Sequence, residues 1–238
     1  MYLAQRLDVL RKGQNQDGGW PYYPGKLASW LEPTVFAALA LHGQPEADRA
    51  WELIQGWQSS NGGWRPAKDI PGSNWTTALA VLLAGVRNGK GDGTLVKGLE
   101  WLRNNTRDGA WGWRRTSEAA AEPTALAILA IRKAGSGVEA AAEEFLLADK
   151  LNPETCGPAL LGLQGTGKAQ GLLPMAERWA AETPSPLTRA WITLGLRLNG
   201  VDVADKESTI PHNFGIVALE ALAAQDGNYS LLKTGGAA

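Results

Sequence analysis

A glycine-tryptophan turn that returns each time with its own following helix constrains this chain more than any other feature. Leu10, Gln14, Asp17, Gly18, Gly19 and Trp20 lead through a loop to Glu32, Pro33, Thr34 and the apolar run VFAALA. Ile54, Gln58, Asn61, Gly62, Gly63 and Trp64 repeat the turn, and Asn74, Trp75, Thr76 and TALAVLLAG repeat the helix start. A third copy runs from Leu102 through Asp108, Gly109, Ala110 and Trp111 to Glu122, Pro123, Thr124 and ALAILAI. A unit of this kind cannot bury its apolar face alone and has to stack on its neighbours. The repeats therefore predict one continuous domain over 1–238, with the turn clear in 1–135 and degenerate in 136–238.

The apolar pattern alternates. Helices are expected near 46–58, 94–104, 138–149 and 171–181 with one apolar stripe, as for helices half turned to water. Between them, starting at Pro33 and then spanning 74–85, 123–134, 155–163, 187–198 and 214–224, come segments apolar nearly all round, the pattern of helices buried on every side. A first amphipathic helix is expected over 2–11, and the outer partner of the last inner helix is expected within 201–207. Aligned on Thr34, Thr76, Thr124, Thr155 and Thr188, the units give roughly six helical hairpins with a mean period near forty residues. Stacked hairpins of this kind form a solenoid or a ring. Pro33 and Pro123 fit the first helical position, where the missing N–H has no intrahelical partner, and the preceding Glu32 and Glu122 suit the positive end of the helix dipole.

Composition narrows the function. A formal net charge of -1 offers no electrostatic case for nucleic acid. One cysteine, Cys156, excludes an intramolecular disulfide and a multi-cysteine zinc cluster, which makes cytoplasm the expectation. No window has the continuous apolar length of a membrane span or signal peptide, while contact with a membrane surface stays open. The 11 tryptophans stand out, because an indole N–H recurring in equivalent turns suggests a repeated structural lock.

At these residues the chain resembles the terpenoid cyclase and protein prenyltransferase superfamily. The spacing L-x3-Q-x2-[DN]-G-G-W, with Ile54 at the first position in the second copy, looks like that superfamily's QW motif, as in squalene cyclase repeats; the third copy has Thr106 in the glutamine's place and a turn one residue shorter. The resemblance implies an all-α fold, an α/α toroid of concentric inner and outer helices. It also implies that the glutamines bridge neighbouring helices and that Trp20, Trp64 and Trp111 hold the repeats together.

The ligand site of such a toroid is expected at the N-terminal ends of the inner helices, where dipoles and loop side chains converge. In class II cyclases a DxDD motif precedes the inner-helix threonine and its middle aspartate protonates the substrate; by position Glu32 and Glu122 each match that aspartate. The neighbouring carboxylates that make such a group a strong acid are missing, since residues 29–34 read SWLEPT and 119–124 read AAAEPT. The bland reading of both is a carboxylate at a helix start. The zinc of the prenyltransferases would need Cys156, His42 and His212, none at metal-ligand spacing, and no DDxxD motif is present. No metal or cofactor is expected. Trp30, Phe36, Trp75, Trp113 and Trp191 are the candidate wall of an apolar site, or else ordinary core.

The expectation is thus a toroid binding an apolar, isoprenoid or lipid molecule in its central cavity. It could act as a divergent cyclase with Glu122 or Glu32 as the acid, or as a non-catalytic carrier or interaction scaffold. A weaker alternative is a carbohydrate-active toroid using Glu32 with Glu122 or Glu154.

Overall fold

A computed structural model describes residues 2–87, 93–148, 151–206 and 208–234. Its helices are α1 (Tyr2–Gly13), α2 (Leu31–Ala40), α3 (Pro45–Gln55), α4 (Thr76–Arg87), α5 (Gly93–Asn104), α6 (Ala121–Lys133), α7 (Ala140–Ala148), α8 (Pro153–Gly162), α9 (Leu173–Glu182), α10 (Pro186–Leu198) and α11 (Phe214–Ala223). Paired extended backbone is limited, among the described residues, to isolated bridges in the loops. The expected outer helix ended at Asp149, which lies outside the described residues.

Six helices form the inner ring. α2 packs on α4, α4 on α6, α6 on α8, α8 on α10, α10 on α11, and α11 returns to α2, so the ring is closed. These are the segments that are apolar nearly all round; α2 buries every residue except Glu32, and α6 buries Ala121 and then Pro123 through Ile131. The outer helices are amphipathic. α3 leans on α2, α5 on α4, α7 on α6 and α8, α9 on α8 and α10, and α1 on α11. The result is an all-α toroid.

Each turn is locked in the same way. The Trp20 indole N–H donates to the Leu10 carbonyl at 2.8 Å and the Trp64 indole to the Ile54 carbonyl at 2.9 Å. In the shorter third copy the Trp111 indole reaches Leu102 at 3.0 Å. The backbone N–H of each tryptophan donates to an inner-helix threonine hydroxyl: Thr34, Thr77 and Thr124, at 2.9 to 3.0 Å. Gln14 donates to the carbonyls of Gly18 and of Glu46 on α3, and Gln58 likewise to Gly62 and to Thr94 on α5, so each glutamine ties its turn to the next outer helix. Gly18 and Gly62 have φ of 92° and 88°, and a Cβ there would meet the Arg49 or Lys97 carbonyl at 2.7 or 2.5 Å. Only glycine permits both.

Three sequence expectations need correction. The second-copy threonine that aligns with Thr34 and Thr124 is Thr77, which accepts from the Trp64 N–H, and not Thr76, which donates its hydroxyl to Asn74 and is capped by it. Lacking the proline of the other copies, α4 starts at Thr76, one residue later after its turn tryptophan than α2 and two later than α6. Next, α2 and α6 begin at Leu31 and Ala121, so Pro33 and Pro123 stand third in their helices and the glutamates lie inside the first turn. Proline is tolerated there because all first-turn N–H groups lack intrahelical acceptors. Finally, residues 201–206 are not helical and Glu207 lies outside the described residues; the outer helix that packs on α11 is α1.

The α1 to α11 contact is built on a buried ion pair, Arg6 to Glu220 at 2.8 Å, with side chains 1% and 3% exposed. Arg6 also reaches the Ser208 hydroxyl at 3.0 Å, which supplies a further partner to a charge removed from water. Across the ring, Gly157 of α8 and Gly195 of α10 allow close approach: a Cβ on Gly157 would meet Trp191 backbone at 2.5 Å.

Candidate functional site

The long loops that lead into α2, α4 and α6, the short one into α10 and the extended stretch into α11 all run toward the N-terminal ends of the inner helices. They are stitched to one another. The Trp30 N–H donates to the Trp20 carbonyl at 2.9 Å, the Leu31 N–H to Pro66 at 2.8 Å, and the Phe214 N–H to Tyr22 at 2.8 Å, so the 21–30 loop joins the start of α11 to that of α2 and the following loop.

Glu32 and Glu122, in the first turns of α2 and α6, converge at this end with Tyr22. The Tyr22 hydroxyl donates to Glu32 Oε2 at 2.5 Å, a short bond. Burial pushes the Glu32 carboxyl up, and the Tyr22 bond offsets part of that rise by favouring the ionised form. Glu122 has no such help among the described residues. Burial first, and then the charge of Glu32, push its carboxyl up to about 8. At neutral pH it holds its proton, while Tyr22, itself pushed far up by burial and by Glu32, remains a donor. The arrangement therefore places a neutral carboxylic acid, Glu122, beside a second buried carboxyl, Glu32, that is hydrogen-bonded by Tyr22.

Tyr22 escaped the sequence reading. The available signal was an aromatic with a polar tip two residues after the Trp20 turn, on the loop that enters α2. Trp30 precedes α2 and packs on Tyr22 with ring centroids 5.5 Å apart. Trp75 and Trp113 meet edge to face at 4.9 Å, with Trp113 exposed. Phe36 and Trp191 also meet edge to face, at 5.6 Å, and are only 2% and 4% exposed. Rings that border an open chamber keep accessible surface even when the chamber is closed off, so these two pack against each other as core.

Glu154 is exposed at the start of α8, where Asn152 and Thr155 form a capping box. Cys156 is fully buried and its thiol is pushed up to about 11 by burial. His42 and His212 are exposed. No helix among the described residues is long and apolar enough to cross a membrane.

Eight large apolar side chains are exposed among the described residues, and six of them, Tyr23, Leu27, Ile70, Trp113, Leu187 and Ile210, lie in the loops or first turns at the N-terminal end of the inner ring. Leu27 is 89% exposed. The end that carries Glu32 and Glu122 is therefore ringed by apolar groups.

No protein-family model and no curated protein sequence matches the chain. Solved structures do. A protein from Actinoplanes is similar with a TM-score of 0.64 at 19% identity, over 93% of this chain and 78% of that one. The type II terpene cyclase MstE from Scytonema, as a variant in complex with the product merosterolic acid A, gives 0.62 at 16% identity, over 93% and 78%. An alpha-2-macroglobulin from Salmonella reacted with methylamine gives 0.56 at 16% identity, over 98% of this chain and 17% of that one. At these identities the likeness is one of fold: the chain has a terpenoid-cyclase-like α/α toroid fold.

Proposed function

We propose that this protein binds an apolar, isoprenoid-type molecule at the end of its toroid where Tyr22, Glu32 and Glu122 converge. Glu122 carries the proton that meets an oxygen or double bond of the ligand. The observation that supports this reading is the meeting of Tyr22, Glu32 and Glu122 within an apolar collar, where burial favours the protonated form of Glu122. A neutral donor suits an uncharged ligand, whereas an ionised carboxylate would have to be desolvated when the ligand arrived. A terpene cyclase of similar fold has been solved with geranylgeranyl dihydroxybenzoate as its substrate. Trp30, Trp75 and Trp113 would supply the aromatic wall, with Phe36 and Trp191 as its packed floor. The apolar collar would also serve for contact with a membrane surface from which such a molecule is drawn.

In the catalytic form of this reading, Glu122 protonates the ligand, Glu32 stabilises the positive charge that develops, and the rings add cation–π attraction. A carboxyl near 8 holds its proton firmly, which favours an oxygen acceptor over a bare alkene and favours binding without turnover as the second reading. Incubation with squalene, oxidosqualene, farnesyl and geranylgeranyl diphosphates decides between them. Products are followed by gas chromatography with mass detection, and binding by tryptophan fluorescence. Cyclised product lost in Glu122→Gln establishes the cyclase. Saturable quenching without product establishes the carrier. Neither signal with any member of the panel overturns the isoprenoid reading.

A further inference from the structure

A second cleft lies on the outer face beside α9, α10 and α11, and the fold explains it. Four successive outer helices, α3, α5, α7 and α9, lean on the inner ring, and α1 covers α11. Between α10 and α11 the outer position is taken by the non-helical residues 201–206 and 208–213. Beneath it a cleft of about 330 Å³ opens, floored by Ala190, Thr193, Ala223 and Ala224 and bounded by Arg189, Glu220 and Tyr2.

The charges in this cleft are unevenly satisfied. Its two inner carboxylates already have partners, Glu220 with Arg6 at 2.8 Å and Asp205 with Arg197 at 2.9 Å. Its cations do not. Arg189 donates Nη1 to the Thr183 carbonyl at 3.2 Å, and Lys206 donates Nζ to the Ala181 carbonyl at 3.1 Å. Neither has a carboxylate within ion-pair distance among the described residues. Arg189 is half-buried and makes its Thr183 bond through Nη1, which leaves its Nε and Nη2 edge open to solvent. The remaining acids, Glu177 and Asp202, stand at the exposed rim. The Tyr2 hydroxyl, pushed up to about 12 mainly by burial, stays a donor.

We infer that this cleft is a binding site for a small organic carboxylate, whose anionic head takes the free edge of Arg189 and whose short apolar body lies over the alanine floor. A guanidinium edge matches a carboxylate in two parallel hydrogen bonds, and the volume is at the lower bound of ordinary small-molecule sites. This site is independent of the isoprenoid reading.

The test titrates the full chain with hexanoate, hexanamide, hexylamine and inorganic phosphate, observing ligand signals by saturation-transfer NMR. Hexanoate should bind and hexanamide should not. Arg189→Gln should weaken hexanoate about tenfold or more, the loss expected for one charge-assisted pair. Ala204→Phe, on the exposed extended segment, should block the cleft without touching a charge, and its melting curve confirms folding should Arg189→Gln prove unstable. Equal binding of amide and carboxylate, preference for phosphate or amine, no hexanoate binding, or hexanoate binding unchanged in Ala204→Phe overturns the assignment.

Discussion

Thr77 and Glu122 show how much hangs on single side chains here. The Trp64 N–H is buried and has the Thr77 hydroxyl as its acceptor, so Thr77→Val leaves that donor unpaired and should cost about 1–3 kcal/mol in chemical denaturation. Thr76→Val should cost less, because the Asn74 side chain that it releases is only partly buried. Two adjacent threonines were indistinguishable in the sequence; only the start of α4 relative to its turn separates them. Glu122 gives a prediction in pH. Its carboxyl rises from the ordinary value of 4.5 to about 8 on folding, so the folded state binds the proton more tightly. The associated stability is fully present below about pH 4.5 and is lost as pH rises through about 8. Roughly 1–3 kcal/mol should disappear across that window, allowing for the partial exposure of the group. Urea midpoints of Glu122→Gln measured over the same range should lack this component. The sequence marked Glu32 and Glu122 as a pair in register, yet the upward shift of both follows from burial, and the Tyr22 bond that offsets part of it at Glu32 is connected to the pair by no spacing rule.

At the scale of elements, the inner helices were legible because apolar residues on every face leave a helix nowhere to lie but inside. The first three turns were legible because glycine and tryptophan recur in all three, and glutamine in the first two, at positions where backbone sign, an indole donor and a bridging amide are required. The last unit was not legible: its outer helix is α1, at the opposite end of the chain, and no local pattern announces a pairing between residues 6 and 220. That contact yields its own prediction. Arg6→Ala strips the partner from a fully buried Glu220 and should destabilise the protein by about 3–5 kcal/mol, whereas Arg6→Met with Glu220→Leu should recover most of it. Thermal melts of the three chains check this. A single mutant as stable as wild type would mean that α1 does not hold α11.

The whole molecule is a ring inside which Phe36 and Trp191 pack together, and its one end is dressed in apolar side chains. The space for a ligand is therefore sought at the end and not along the axis. That placement could not come from the sequence, in which a tryptophan lining a chamber and one packed in core look alike. It makes the location of the ligand the central claim. The most direct measurement uses a photoreactive geranylgeranyl analogue, with mapping of the labelled peptides by mass spectrometry. Label in 21–32 and 111–123, suppressed by excess unlabelled geranylgeranyl compound, is the predicted result. Label confined to the outer helices or to the α9 to α11 cleft, or label that no excess removes, would contradict the account.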